Sequence, residues 1–396
     1  MDAQSARAQS ARDVSLDYLR ATLTLMVVAH HSSLAYTTFA RADPAHYLAS
    51  TAPIVDQGRW LFLDYAENFN DVFFMSLMFF ISGLFVLPSL RHSGWPVFVR
   101  HRVIRLGLPF AVGVTTLMPL AYYASWRAAG HQTGLVDFWR QNITSDGWPP
   151  GPLWFVWMLL LFDIVVAALF AALPRRLSGK SPEGSLFRKR PLLFAGVLVL
   201  VCAVAYLPML ARFGFGAWAP LLTKPFHFQV SRIFLYLVWF LAGTWVGASD
   251  LERGLLARGG SLARHWRWWV AGCFVAYNLL VFVPRSQSLV GGLSAFDRGA
   301  VEAVLWVVSC VASCLGFLAL FRGVVRSRRR WMDSLSRSAY AIYLVHYVFV
   351  VWIQFVLLGL PIHASLKFVA TFVLAVLLSW ATAQGLLRIP GVRYAL

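Results

Sequence analysis

The sequence predicts an all-α integral membrane protein, a polytopic bundle of about ten transmembrane helices with both termini on the cytoplasmic side. Of its 396 residues 59% are hydrophobic and 13% charged, and its mean hydropathy is +0.64, whereas soluble chains use about 45–50% apolar and about 25% charged residues. The apolar residues form continuous runs of a length that crosses a bilayer, without the alternation of a transmembrane barrel. Lipid offers no partner for unpaired backbone groups, so a helical bundle is the architecture that remains. Basic residues recur between the runs on alternate sides, which sets orientation.

Ten runs qualify: roughly 16–39, 71–90, 103–124, 153–173, 191–209, 230–249, 266–284, 300–321, 338–358 and 366–388. The polar stretch before the first lacks a small-residue cleavage site, so that run reads as a retained span. Two long loops, 40–70 and 125–152, fall on the outer side. The second carries Trp126, Trp139 and Trp148, then Pro149, Pro150, Gly151 and Pro152. Tryptophan suits the membrane interface, and the same rings offer a platform for a sugar. The 174–190 stretch, with Ser178, Gly179, Ser181, Pro182 and Gly184, reads as a short cytoplasmic loop. No internal repeat is visible.

The formal charge is +18, from 35 Lys and Arg against 17 Asp and Glu. Of the 35 basic residues 24 lie on the N-terminal side of the alternation, Arg188 and Arg329 among them. The charge is therefore a topological signature, and no nucleic-acid partner is expected. Cys202, Cys273, Cys310 and Cys314 all sit inside apolar runs with no CxxC spacing. They read as packing residues, and neither a disulfide framework nor a metal site is indicated.

Ionisable groups at membrane depth are costly and point to function. They are Arg20 and His31 in the first span, Asp163 in the fourth, Glu302 in the eighth and His346 in the ninth. Eleven residues separate Arg20 from His31, which returns a helix to within about 20° of its starting face and raises it about 16 Å. The two share a stripe, with Arg20 near the cytoplasmic surface and His31 near mid-membrane. A neutral imidazole can take a proton from a hydroxyl near neutral pH, and a guanidinium can hold a phosphate or carboxylate. The bland reading is a histidine bonded to a neighbouring helix and a snorkelling arginine. Arg102 and Arg105, at i and i+3, can grip phosphates or can be ordinary loop charge. Asp163 reads as an internal hydrogen-bond partner, and Glu302 lies near the outer surface.

Three stretches resemble the acyltransferase-3 family of integral membrane acyltransferases, most closely its glucan-biosynthesis-protein-C branch. Leu16-Asp17-Tyr18-Leu19-Arg20, continuing to His31, is similar to the first-span motif. Phe79-Phe80-Ile81-Ser82-Gly83-Leu84-Phe85 with Arg102-Val103-Ile104-Arg105-Leu106-Gly107-Leu108-Pro109 resembles the second span and the basic start of the third. Ser338-Ala339-Tyr340-Ala341-Ile342-Tyr343-Leu344-Val345-His346 resembles a helix near the C-terminus, and Leu153-Trp154-Phe155 the opening of another span. The resemblance implies a cytoplasmic tail 1–15, an acyltransferase domain 16–388 and a tail 389–396.

It further implies transfer of an acyl group, acetyl or succinyl, from cytoplasmic acyl-CoA to a hydroxyl of an extracytoplasmic or lipid-linked carbohydrate such as a periplasmic glucan. On that reading His31 is the catalytic base and Arg20 a catalytic-site anion anchor that bridges from the cytoplasmic mouth toward the thioester, Arg102 and Arg105 hold acyl-CoA, and Trp154, Asp163, Glu302 and His346 line the substrate. Acyl-CoA is then a donor substrate with no permanently bound cofactor and no metal. Ser82, in a Ser-Gly pair, reads as a packing site and not a nucleophile. The expected setting is the bacterial inner membrane, with the bilayer, a homo-oligomer or glycan-synthesis proteins as further partners. The alternative is a glycan or small-acid transporter without chemistry, for which inverted repeats would be the signature.

Overall fold

Every predicted run contains a helix in the computed structural model, which describes residues 13–43, 50–144, 147–173, 184–221, 223–249 and 251–396. The tail 1–12 and the stretch 174–183, with Arg175, Arg176 and Lys180, lie outside the described residues. The long helices are α1 (Val14–Leu34), α2 (Leu61–Gly83), α3 (Trp95–Ala128), α4 (Trp154–Ala172), α5 (Pro191–Phe213), α6 (Ile233–Gly247), α7 (Trp266–Phe282), α8 (Ala295–Val324), α9 (Arg330–Leu357) and α10 (Ala364–Leu386). Among the described residues eight helices are long and apolar enough to cross a membrane. The other two of the ten are α1, which carries Asp17, Arg20 and two histidines, and α7, whose 17 residues span about 25 Å.

Helix α1 tolerates its polar side chains because it is enclosed, packing against α2, α8, α9 and α10. Asp13 caps it, its carboxylate accepting from the Ser15 and Leu16 amides at 3.0 and 3.4 Å. Two boundaries differ from the apolar windows. Helix α1 ends at Leu34, not near 39, and α2 begins at Leu61, ten residues before the run at 71. The added turns of α2 carry Asp64, Glu67, Asn68 and Asp71, which find partners inside the protein and so need no apolar neighbours: Asp64 accepts from the Thr38 amide at 2.8 Å, and Asp71 pairs with Arg232.

Helices α2 and α6 approach through glycine. A Cβ on Gly243 would lie 2.0 Å from the Phe80 carbonyl oxygen, and one on Gly247 1.9 Å from that of Leu84. The four-residue spacing puts both on one face, and only their missing side chains let the backbones meet. Both contacts advance four residues along each helix, so α2 and α6 run parallel. Helices α1 and α9 are parallel as well. The Tyr18 hydroxyl donates to Asp333 at 2.8 Å and the His346 and His31 rings meet at 3.3 Å, each pair separated by the same 315 residues of chain.

Proline shapes α3, which contains two π-helical stretches, Val103–Gly107 and Gly113–Leu117. Pro109 and Pro119 lack the N–H that would serve the carbonyls of Arg105 and Thr115. Other side chains serve them: the Tyr340 hydroxyl donates to the Arg105 carbonyl at 2.6 Å, and the Trp139 indole to that of Thr115 at 2.7 Å. Trp148, with φ of 47°, donates to the Val114 carbonyl at 2.9 Å. Two tryptophans of the 125–152 segment thus close α3, and the helix Leu135–Thr144 lies within that segment. Between α5 and α6 a short antiparallel pair, β1 (Trp218–Pro220) and β2 (His227–Gln229), sets Trp218 opposite Gln229, and the Trp157 indole donates to the His227 carbonyl at 3.1 Å.

Candidate active site

The packing of α1 against α9 joins two of the predicted site residues. His31 lies in the last turn of α1, which ends at Leu34. Its Nδ1 is 2.9 Å from the Val27 carbonyl, one turn back on the same helix. A carbonyl only accepts, so Nδ1 carries the proton. His346, fully buried, has its Nδ1 2.6 Å from the Tyr343 carbonyl and is protonated there for the same reason. Its Nε2 is then an acceptor, and it faces His31 Nδ1 at 3.3 Å. The hydrogen-bond pattern therefore assigns one tautomer to each ring. In His31 it leaves Nε2 with an unprotonated lone pair, for which no hydrogen-bond partner occurs among the described residues.

The surroundings hold this geometry. Gln354, two turns beyond His346, donates to the His31 and Ser32 carbonyls at 3.0 and 3.3 Å, closing acceptors at the α1 terminus. Tyr347 sets its ring edge-on to His31 at 5.1 Å between centroids, and Tyr343 donates to the Pro152 carbonyl at the start of α4. Tyr343, His346, Tyr347 and Gln354 lie on one helical face. His30 turns the other way, its ring 5.0 Å from Phe74 and its Nδ1 3.5 Å from a Glu67 oxygen. Beyond Glu67 the buried Arg232 forks onto Asp71 at 2.8 and 2.6 Å and stacks on Phe215 at 4.3 Å, the bidentate geometry in which a guanidinium tolerates burial.

The remaining predicted residues are dispersed. Arg20 pairs with Asp17 at 3.0 Å on the shared stripe of α1, its side chain 39% exposed. Arg102 reaches Asp163 at 3.2 Å and lies 4.9 Å over the Phe98 ring, so two residues given separate roles form one ion pair. Arg105 donates to the Leu396 carbonyl at 2.8 Å. Trp154 sits in an aromatic group with Tyr236 and Trp218, at 5.5 and 5.9 Å. Glu302 is exposed on α8, and no hydrogen bond joins it to the histidines. The Ser82 hydroxyl donates to the Met78 carbonyl at 2.9 Å, an ordinary bond along its own helix.

Sequence reasoning passed over Glu67, Asp71, Arg232, Tyr347 and Gln354. For the last two a signal existed, because positions 343, 346, 347 and 354 recur at helical spacing. For the others it did not, since the pairing is made by chain segments far apart. Another unforeseen cluster lies at the opposite end of α1, where the buried Arg322 meets Asp13, Glu252 at 2.7 Å and the Leu256 carbonyl at 2.5 Å. Burial pushes the Asp13 carboxyl up, but the Ser15 hydrogen bond and the charges of Arg322 and Arg258 outweigh it and hold the group below the ordinary carboxylate range. Among the described residues no group of His, Cys, Asp and Glu is placed to hold a metal ion.

A family model described as an acyltransferase domain matches residues 13–384. Proteins named glucans biosynthesis protein C from Escherichia coli O139:H28, O81 and O157:H7 are each 25% identical over 283 residues, 68% of this chain. The match spans 66% of their own length, just under two thirds. No solved structure matches.

Proposed function

The chain belongs to the acyltransferase-domain family, and we propose that it is a membrane O-acyltransferase that moves an acetyl or succinyl group from cytoplasmic acyl-CoA to a hydroxyl of an extracytoplasmic or lipid-linked carbohydrate. The observation that carries this reading is the open Nε2 lone pair of His31, fixed by the Val27 carbonyl and His346. The names of the relatives, which refer to glucan biosynthesis, support a glucan as acceptor.

In the proposed reaction His31 Nε2 takes the proton of the acceptor hydroxyl as that oxygen attacks the thioester carbonyl. The tetrahedral intermediate collapses to the ester, the C–S bond breaks, and the departing thiolate recovers the proton from the imidazolium. Protonation at Nε2 makes Nδ1–H a charged donor, and His346 Nε2 faces it, so the second ring stabilises the state in which the first is charged. His346 is then a positioning residue and not a substrate contact. Arg20, about 16 Å back along the same stripe, is placed toward the end where the donor arrives, and Arg102 and Arg105 flank that mouth.

The proposed setting is the inner membrane of a bacterium, with both termini cytoplasmic. The orientation rests on the basic residues between the spans, which favour the cytoplasmic side; the parallel pairs α1 with α9 and α2 with α6 are what helices of equal parity give when each crosses once. The test is to incubate purified protein with acetyl-CoA or succinyl-CoA and glucan oligosaccharides and to weigh the products by mass spectrometry. An ester on the glycan is expected, with a loss of about 10²–10⁴-fold in His31→Ala and a smaller one in His30→Ala. No ester with any donor, or normal turnover in His31→Ala, would overturn the reading.

A further inference from the structure

A cavity of about 680 Å³, of a size that takes a sizeable ligand, opens between the beginnings of α5 and α7, with Ala312 of α8 also in its lining. Its lining has two zones. Lys189 and Arg190 stand at one rim, just before α5, and no acidic residue lines the cavity among the described residues. Ser261 and His265, just before α7, add polar groups, and the rest of the wall is mostly apolar, formed by the first turn of α5 and by Trp268, Trp269 and Gly272 of α7. Trp268 is 77% exposed and Leu192, on the opposite wall, 76%. A Cβ on Gly272 would meet nothing within 4 Å, so the slot is open toward the middle of α7. The basic rim is at the same end of the bundle as Arg322, since Trp266 lies against Gly323, one residue beyond Arg322.

From this juxtaposition we propose that the cavity is a binding site for an anionic phospholipid, whose phosphate pairs with Lys189 and Arg190 while its acyl chains fill the slot between α5 and α7. A soluble phosphate would use the rim alone, and a zwitterionic lipid would gain little from two cations at the rim. An anionic lipid uses both zones, and a tryptophan at the junction suits the headgroup level. Basic pockets between membrane helices on the cytoplasmic side recognise anionic headgroups by this combination. Neither His31 nor His346 lines the cavity, so the site stands or falls independently of the acyl-transfer reading.

The test uses the whole protein in detergent, exposed to equal amounts of phosphatidylglycerol and phosphatidylcholine, with retained lipid read by native mass spectrometry. Phosphatidylglycerol should be retained in at least tenfold preference. Each basic residue near an anionic surface contributes about a fivefold factor, so Lys189→Gln with Arg190→Gln should weaken anionic retention about thirtyfold. Gly272→Phe projects a ring into the open slot and should lower retention of both lipids while the unfolding temperature stays put, which separates occupancy from folding. Equal retention of the two lipids, or a preference that survives both variants, would overturn the proposal. So would glycerol phosphate displacing the lipid at equal concentration, because that outcome assigns the rim to a soluble anion.

Discussion

The dependence of His31 on His346 can be measured directly. His346→Leu removes the acceptor 3.3 Å from His31 Nδ1 but leaves the 2.9 Å bond to the Val27 carbonyl, so the tautomer of His31 persists and only its charged form loses a partner. A hydrogen bond to a charged group contributes about 1.5–3 kcal/mol. At 3.3 Å, shared with a shorter bond, the lower figure applies, which is about tenfold in rate. The assay is steady-state acyl transfer with both substrates varied. His346→Leu should lower kcat about tenfold with little change in either KM. His346→Gln, whose side-chain oxygen can accept, should recover part of the loss. A loss as complete as that of His31→Ala would mean that His346 itself handles the transferred proton. An unchanged kcat would mean that the contact is packing alone, and either result refutes the reasoning.

Gly247→Ala should prevent α2 and α6 from closing, since a methyl 1.9 Å from the Leu84 carbonyl oxygen meets backbone that cannot swing aside. Overpacking costs about 1–3 kcal/mol or more, and wild-type yield and unfolding temperature in detergent would disprove the close approach. Arg322→Ala removes the buried cation beside Asp13, which keeps the Ser15 hydroxyl at 2.7 Å and Arg258 at 3.5 Å, and leaves Glu252, whose side chain is 53% exposed, to reach water. The expected loss is about 2–3 kcal/mol, below the about 3–5 of a fully buried pair, and an unshifted unfolding curve would contradict it. Because the folded Asp13 carboxyl sits below its ordinary value, the unfolded chain binds its proton first. The stability it confers is therefore complete above about pH 4 and fades as the pH falls through the folded value, so wild type should lose unfolding temperature in acid more steeply than Asp13→Asn. Cysteines introduced at Trp148 and Ser294 should react with an impermeant reagent from outside, and ones at Arg188 and Arg329 should not; the reverse pattern would invert the proposed direction of transfer.

Helix number and identity were legible because they depend on local properties. An apolar run of about 20 residues has one way to satisfy its backbone in lipid. The stripe that links Arg20 and His31 was legible too, since it needs only helical pitch. The ends of α1 and α2 were not. A composition window extends a helix while residues stay apolar, whereas Asp64, Glu67 and Asp71 extend α2 through partners elsewhere in the chain.

The sequence alone determined the class of the protein, the order of its helices, the charge asymmetry of its loops and the presence of histidines in α1 and α9. Tertiary structure decided what those residues do. It placed His346 against His31, turned His30 toward Glu67, paired Arg102 with Asp163, and put Trp139 and Trp148 on α3 carbonyls left open around Pro119. The physical reason is that a side chain's role is set by what faces it at hydrogen-bond distance. For His31 that partner is 315 residues away along the chain, and only the packing of α1 on α9 brings the two rings together.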